Sequence, residues 1–405
     1  MILRPNSLAH FAAIGIIVLA AALSSADSVR ATASFQVLHM FTGGGDGAEP
    51  SSALVEAADG NLYGMTARGG AEGLGTIYRI SPGGNLITVH AFTAAEGASS
   101  SDVLVVGADG SLYGTGKGLA SDAPIFGPVQ PVKNGTRFGT IFRMSPEGAV
   151  TIVHTFKGTP GNPAHALIQA SDGSFYGTTD HELGKSAIFK VTSAGEASVV
   201  RTFVIVNGEG PPTSLVQAAD GTLYGTTLPA GKPANVMTVS FSGNVPNAGT
   251  IFRITPYGAY RVLHTLESNL MDTGPITLIQ ATDGDLYGTT SGGVMTLGSV
   301  FRITPNGRFT TLHTFKGADG ALPGAALTQG RDGSFFGTTN AGGAAGYGTI
   351  FRMTPEGVFT TLYAFETGTR GSFAALAQAR DGHLYGIRTS DQTGAVGIVF
   401  RLTID

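Results

Sequence analysis

The sequence predicts an all-β protein: a seven-bladed β-propeller with four antiparallel strands per blade, the last blade closed by the N-terminal strand. Three observations predict it. An Asp-Gly pair followed by a Leu-Tyr-Gly signal recurs seven times, at Asp59, Asp109, Asp172, Asp220, Asp283, Asp332 and Asp381, with separations of 50, 63, 48, 63, 49 and 49 residues. A long fixed period marks a repeat architecture. Two further signals recur in step with the first, and the chain ends carry complementary pieces of one unit.

Each unit reads as four strands. A Leu-rich stretch comes first (strand A), as in ALVEAADG from Ala53 and ALIQASDG from Ala166. The Leu-Tyr-Gly segment (strand B) follows the Asp-Gly turn. Strand C carries GTIYR at Gly75, GTIFR at Gly139, SAIFK at Ser186, GTIFR at Gly249, GSVFR at Gly298, GTIFR at Gly348 and GIVFR at Gly397. Strand D ends at Phe92, Phe156, Phe203, Leu266, Phe315 or Phe365 in VHAF, VHTF, VRTF, LHTL, LHTF or LYAF. Asp-Gly between A and B, and SPGG, SPEG, TPYG, TPNG or TPEG between C and D, suit tight hairpins. The seventh unit stops after strand C, and the missing D strand stands at the other end as SFQVLHMF, from Ser34 to Phe41. Pairing that strand with the last blade closes the ring and removes the open edges of an array. The blades then run over about 51–92, 101–156, 164–203, 213–266, 276–315, 325–365, and 373–405 with 35–41.

Composition agrees with many short strands: Gly is 61 of 405 residues, charged residues are 13%, and helical periodicity is not sustained after the first thirty residues. The net charge of −4 offers no basic surface for phosphates, so nucleic acid is excluded as a partner. Residues 1–31 read as a signal peptide. Arg4 supplies the positive region, residues 11–23 the apolar run, and small residues follow to Ala26, with cleavage expected after Ala26 or Ala31. Thirteen apolar residues are fewer than the roughly twenty of a membrane-spanning helix, so no span is expected after cleavage. The expected product is exported: secreted, periplasmic or at the cell surface, monomeric, with residues 32–405 as one domain. There is no Cys, which excludes disulfides, lipid attachment through Cys and every thiol mechanism.

The units resemble the GloVer-type tandem repeats, related to the HAF-like extracellular repeats of exported bacterial proteins. The resemblance covers residues 35–405 and rests on DGxLYGTT, GTIFRxTPxG and LHTF. It implies export and a propeller-like repeat. No activity is established for that family, so it supplies no catalytic residues. Many members end in sorting or anchoring tails; this sequence stops at the last blade, which points to a free rather than a C-terminally anchored product.

A residue repeated in every blade belongs first to the scaffold. Alternating strand direction places the end of strand C beside the Asp-Gly turn, so Arg79 is expected near Asp59, Arg143 near Asp109, Arg253 near Asp220 and Lys190 near Asp172. His39, His90, His154, His264 and His313 share one position of strand D, taken elsewhere by Arg201 and Tyr363. A metal site would not tolerate those replacements, so rim side chains are expected and no metal or cofactor. MDTGP, at residues 271–275, is a lone aspartic-protease-like string in an interblade turn. GGGDG at Gly43 and GADG at Gly317 read as plain turns, lacking the several carboxylates that Ca²⁺ prefers. HExxH, GxSxG, P-loop and EF-hand patterns are absent.

The breaks in the repeat carry the functional expectation. The two spacings of 63 place insertions of about fourteen residues between strands B and C of blades 2 and 4. Both insertions leave the ring at the end that also carries the D–A connections, and long loops on a rigid scaffold are where binding usually resides. They flank blade 3, whose short B–C loop carries Asp180, His181, Glu182 and Lys185. The first insertion contributes Lys117, Asp122, Phe126, Lys133 and Arg137; the second contributes Lys232, Asn235, Phe241 and Asn244. The leading expectation is a binding or scaffold module for an extracellular polymer or protein. The alternatives are a polysaccharide lyase or hydrolase using His181 and Glu182 as acid and base, and a purely structural surface protein.

Overall fold

A computed structural model describes residues 33–97, 104–116, 139–157, 163–179, 185–204, 210–229, 249–266, 274–292, 296–366, 374–389 and 397–404. The chain is a seven-bladed β-propeller, and all seven sheets follow the order A–B–C–D with antiparallel neighbours. Blade 4 shows the pattern: Pro212–Gln217, Leu223–Thr227, Thr250–Ile254 and Tyr260–Thr265. The last blade consists of Ala377–Gln378, Leu384–Arg388 and Ile398–Thr403, and its fourth strand is Ser34–Met40. Phe35 pairs with Leu402 and Met40 with Ile398 across that closure.

Strand B is buried along its whole length in blades 2 to 5, for example in Leu223–Thr227. Its invariant Gly has a steric cause. The aromatic ring of strand C lies across the B-strand backbone, so a Cβ on Gly225 would meet Phe252 at 2.5 Å and the Ser214 carbonyl oxygen at 2.5 Å. The same overlap, at 2.4–2.5 Å, exists at Gly64, Gly114, Gly177, Gly288, Gly337 and Gly386. The Leu-Tyr-Gly signal is therefore a packing signal: alternate residues face neighbouring blades, and Gly admits the ring of strand C.

The hydrophobic cores lie between blades. Tyr63, Met65 and Ile77 of blade 1 pack with Leu104, Leu112, Phe142 and Met144 of blade 2. Leu62, Tyr78 and Ile80 pack on Tyr385, Ile387 and Val399 of blade 7, which closes the circle of cores. Every D strand contains a bulge just before its His position, where Leu38, Val89, Val153, Val200, Leu263, Leu312 or Leu362 is the extra residue. The Gly of the following blade's C–D turn sits on this bulge. A Cβ on Gly195 would lie 2.4 Å from the Val153 oxygen, and one on Gly258 would lie 3.0 Å from the Val200 oxygen.

Strand A departs from its simple expected form in blades 1 and 6. It starts earlier than the Leu-rich run and divides into Ala48–Pro50 with Val55–Glu56, and Ala321–Pro323 with Thr328–Gln329. Glu49 (φ 56°) and Leu322 (φ 57°) are left-handed at the two equivalent positions. The bend seats Pro50 against Gly397 of blade 7 and Pro323 against Gly298 of blade 5, where a Cβ would lie 2.3 and 2.6 Å from the Pro Cδ. Backbone strain at Glu49 and Leu322 thus accompanies close packing with the preceding blade.

Candidate functional site

The blade topology creates two chemically distinct ends: a turn end with the A–B and C–D turns, and a loop end with the B–C and D–A connections. At the turn end each Asp of Asp-Gly first closes its own turn. Its Oδ1 accepts the N–H two residues on, from Asn61, Ser111, Ser174, Thr222, Asp285, Ser334 or His383, at 2.9–3.1 Å. In five blades the Tyr of Leu-Tyr-Gly donates back to Oδ2: Tyr63 (2.9 Å), Tyr113 (3.0 Å), Tyr176 (3.1 Å), Tyr287 (2.7 Å) and Tyr385 (2.6 Å). These Tyr hydroxyls resist ionisation. Burial, with the Asp381 hydrogen bond, pushes Tyr385 up to about 12.

The expected cation contacts form in part. Arg143 reaches Asp109 at 2.9 Å, Lys190 reaches Asp172 at 2.8 Å, and Arg352 reaches Asp332 at 2.5 Å. Arg79 is more distant from Asp59, at 3.9 Å. The expected Asp220–Arg253 pair does not form among the described residues, although the same turn holds Thr222 N–H on Asp220 Oδ1. In blade 5 Arg302 chooses Asp285 over the turn Asp, and in blade 7 Arg401 binds Gln36 and the Pro82 carbonyl. Partial burial pushes the Asp109 carboxyl up, but hydrogen bonds from Ser111, Arg143 and Tyr113 outweigh it and hold the group below its ordinary value. Asp172 is lowered in the same way, with Lys190, Ser174 and Tyr176 opposing burial.

A second belt at the turn end was not foreseen from sequence. Gln stands three residues before Asp in five blades, and its side-chain oxygen accepts a backbone N–H from the preceding blade. Ala108 donates to Gln169 (2.7 Å), Ser171 to Gln217 (2.7 Å), Ala219 to Gln280 (3.0 Å), Thr282 to Gln329 (2.9 Å) and Arg331 to Gln378 (2.9 Å). Each Gln also donates Nε2 to the Gly carbonyl of its own Asp-Gly turn, at 3.0–3.3 Å. Across the closure, Arg380 N–H donates to Glu56 at 2.9 Å. Val106 holds the equivalent position in blade 2, so the blade 1–2 seam lacks this latch. The recurrence of Gln169, Gln217, Gln280, Gln329 and Gln378 was the available signal.

The D-strand histidines are half-buried rim side chains with defined partners. His39 contacts Asp46 (3.1 Å), His90 contacts Glu96 (3.1 Å) and His313 contacts Asp319 (2.9 Å), each carboxylate lying in the D–A connection. His154 contacts the Gly195 carbonyl at 2.9 Å. His264 stacks on Phe309 (4.2 Å, 3°) and Tyr363 on Phe35 (4.5 Å, 10°), while the Arg201 guanidinium lies 3.8 Å from the centre of the Tyr260 ring. Asp46 and Asp319, in the two Gly-rich strings, are therefore engaged by neighbouring side chains or backbone within their own connections. Among the described residues no three His, Asp or Glu side chains gather as a metal site.

Of the predicted site residues, Lys185 alone lies among those described: it begins strand C of blade 3, is exposed, and pairs with Val204. Lys117, Asp122, Phe126, Lys133, Arg137, Asp180, His181, Glu182, Lys232, Asn235, Phe241 and Asn244 lie outside the described residues, as do residues 1–31 and Asp272 of MDTGP. The strand ends that carry these segments are described: Gly116 and Thr140 in blade 2, Thr179 and Lys185 in blade 3, Thr227 and Thr250 in blade 4. All belong to the loop end. Hydroxyl pairs brace several B–C strand ends there, including Thr227 with Thr250 (2.9 Å) and Thr66 with Thr76 (2.9 Å).

No curated protein matches the sequence. Solved structures share the fold. "Streptogramin B lyase structure" is 15% identical with a TM-score of 0.61, over 92% of this chain and 98% of that one. "Oligogalacturonate lyase in complex with manganese" is 12% identical with a TM-score of 0.58, over 93% and 94%. The extracellular domain of the putative hybrid two component system BT3049 from B. thetaiotaomicron is 12% identical with a TM-score of 0.57, over 92% of this chain and 41% of that chain. At such identities the likeness is one of fold. The model of the Gloeobacter/Verrucomicrobia repeat matches residues 27–126 and 231–405, the same repeated turns and strands whose packing is described above, and the chain belongs to that family.

Proposed function

We propose that the protein is an exported binding module that presents the B–C segments of blades 2, 3 and 4 to an extracellular polymer or protein. One observation carries the reading: two insertions interrupt an otherwise regular ring, and both arise from the loop end on either side of blade 3. The repeat model passes over residues 127–230, which contain the second half of the blade 2 insertion and the B–C segment of blade 3, whereas the blade 4 insertion falls within its second match. Repeated polar groups elsewhere are engaged in holding blades together, so the variable segments are where a ligand-specific surface can be built without disturbing the scaffold. Export rests on the apolar N-terminal stretch.

The test is a screen against a glycan array and against envelope extracts, using the wild-type protein and variants with residues 117–138 or 230–248 shortened. Loss of one specific ligand on shortening, with the Tm unchanged, is expected. The competing reading is a lyase or hydrolase acting on polysaccharide, with His181 and Glu182 as acid and base; propellers of lyases such as the two named above give it a precedent in fold. Turnover abolished by His181→Ala/Glu182→Ala would favour that reading. Wild-type behaviour from every variant would leave a structural surface protein.

A further inference from the structure

At the turn end the blades share one polar set: the turn Asp, the Tyr of strand B and the cation of strand C. Blade 4 carries the set without closing it. Its strand pairing is ordinary, since Tyr224 faces Arg253 as Tyr113 faces Arg143 in blade 2. Asp220 also holds its own turn, through the Thr222 N–H at 2.9 Å. In blade 2 Tyr113 (3.0 Å) and Arg143 (2.9 Å) both donate to Asp109; among the described residues Asp220 receives neither equivalent bond. What distinguishes blade 4 lies one strand outward, where Arg253 faces Arg261 of strand D. The other six blades place Ile87, Thr151, Ser198, Thr310, Thr360 or Gln36 opposite the cation.

Two arginines directly opposite in an antiparallel pair stand about 5 Å apart at Cβ, and their charges repel. In five blades the strand C cation has a carboxylate at ion-pair distance; among the described residues neither Arg253 nor Arg261 has one. Arg261 is exposed and Arg253 half-buried. The hairpin that joins them carries Tyr257 at its tip, 98% exposed, where other blades have Gly83, Glu147, Ala194, Asn306 or Glu356. The turn of blade 5 brings a third cation. Gly307 packs on the Leu263 backbone of the same D strand, where a Cβ would lie 3.0 Å from the carbonyl oxygen, and the exposed Arg308 follows it. In a chain of net charge −4 this is a local concentration of positive charge beside an open aromatic ring. It persists against a repulsion that the other blades avoid.

We infer that the blade 4 hairpin is a docking surface for an acidic polysaccharide, a chain of uronate sugars. Guanidinium groups match carboxylates in shape and charge, and a carboxylate beside Arg253 and Arg261 replaces their repulsion with two attractions. Tyr257 offers a flat, solvated face to an adjoining sugar ring. A chain laid across the hairpin continues toward Arg308 on the next turn with a further carboxylate. A folded protein partner is less suited, because such interfaces centre on buried apolar anchors, and beside Tyr257 this hairpin exposes only Val262, at 40%, as a large apolar side chain. The surface lies at the turn end, away from the insertions, so it stands independently of the loop-end reading above.

Alginate, a chain of uronates, is the probe, titrated calorimetrically into the purified protein. Its propylene glycol ester serves as the uncharged control and polyphosphate as a polyanion without sugar. The wild-type protein is expected to bind alginate, more weakly as salt rises, and to ignore the ester. Arg261→Thr installs the residue type of blades 2, 5 and 6 and is expected to weaken binding about fivefold. Its Tm should equal or exceed that of the wild type, since a like-charge pair is removed, which separates lost binding from lost folding. Tyr257→Ala, at a fully exposed position, should also weaken binding, while shortening residues 230–248 should leave it unchanged. Absence of alginate binding by the wild type overturns the inference, as does equal binding by Arg261→Thr. Equally tight polyphosphate binding overturns the sugar assignment, and loss of binding on shortening residues 230–248 alone assigns the polymer to the loop end instead.

Discussion

His313 stacks face to face on Phe359 of the next blade, ring centroids 3.9 Å apart and planes 7° from parallel, while its Nε2 contacts Asp319. The same interblade stack joins His264 to Phe309, Tyr363 to Phe35 and the Arg201 guanidinium to Tyr260. What this position requires in blades 3 to 6 is a flat group, which is why His, Arg and Tyr interchange there. Where the next D strand begins with Leu86, Val150 or Ala197, the histidines His39, His90 and His154 rely on a carboxylate or carbonyl instead.

Planarity rather than charge should therefore govern Arg201. Arg201→His is expected to be milder than Arg201→Lys, which keeps the charge and loses the plane, by about 1 kcal/mol. Urea unfolding of the two variants checks the order; equal or reversed midpoints would refute the stacking account.

The missing latch can be supplied. Val106→Gln is expected to bond the Ala58 N–H across the blade 1–2 seam and to stabilise by about 0.5–1.5 kcal/mol. Gln217→Val should remove a comparable amount by orphaning the Ser171 N–H. Paired denaturant titrations measure both.

The B-strand glycines leave no room. Gly225→Ala would drive a methyl group into Phe252 and the Ser214 carbonyl, and a loss of about 3 kcal/mol is expected. At the equivalent ring of blade 1, the fully buried Tyr78 hydroxyl has no hydrogen-bond partner, and burial pushes its pKa far above the usual phenol value. Tyr78→Phe, the residue found in the other six blades, should stabilise by about 1 kcal/mol.

Acid should loosen the turn end and the D–A connections together. Asp46, Asp59, Glu96, Asp109, Asp172 and Asp332 all lie below their ordinary values, since hydrogen bonds and cations outweigh partial burial. A lowered carboxylate stabilises the fold at pH above its unfolded value, about 4. That contribution disappears as pH falls through the lower folded value. Melting temperatures are expected to be level with respect to these groups from pH 7 to about 5 and to fall below about 4. Asp109→Asn should shrink the acid drop.

Closure by Ser34–Met40 predicts that deleting residues 35–41 exposes the edge strand Ile398–Thr403 and leaves an aggregating or unfolded product. Size-exclusion chromatography decides it: a well-folded monomer would be incompatible with the closure being needed.

The blade count, the four strands and the ring closure were legible in the residues, because hairpin chemistry and alternating burial act over a few residues and repeat seven times. The sequence also marked Arg143 beside Asp109 and Lys190 beside Asp172, since strand alternation alone brings them to one end. Tertiary structure alone decided how the blades are joined. The Gln latches, the seating of Pro50 on Gly397 and the stack of His313 on Phe359 link residues about fifty or several hundred positions apart, and none follows from local pattern. It also decided the exceptions: Arg302 turns to Asp285 and Arg401 to the closing strand. Such choices depend on which partner the neighbouring side chains place within hydrogen-bonding reach, a matter of a few ångströms that a repeat motif does not encode.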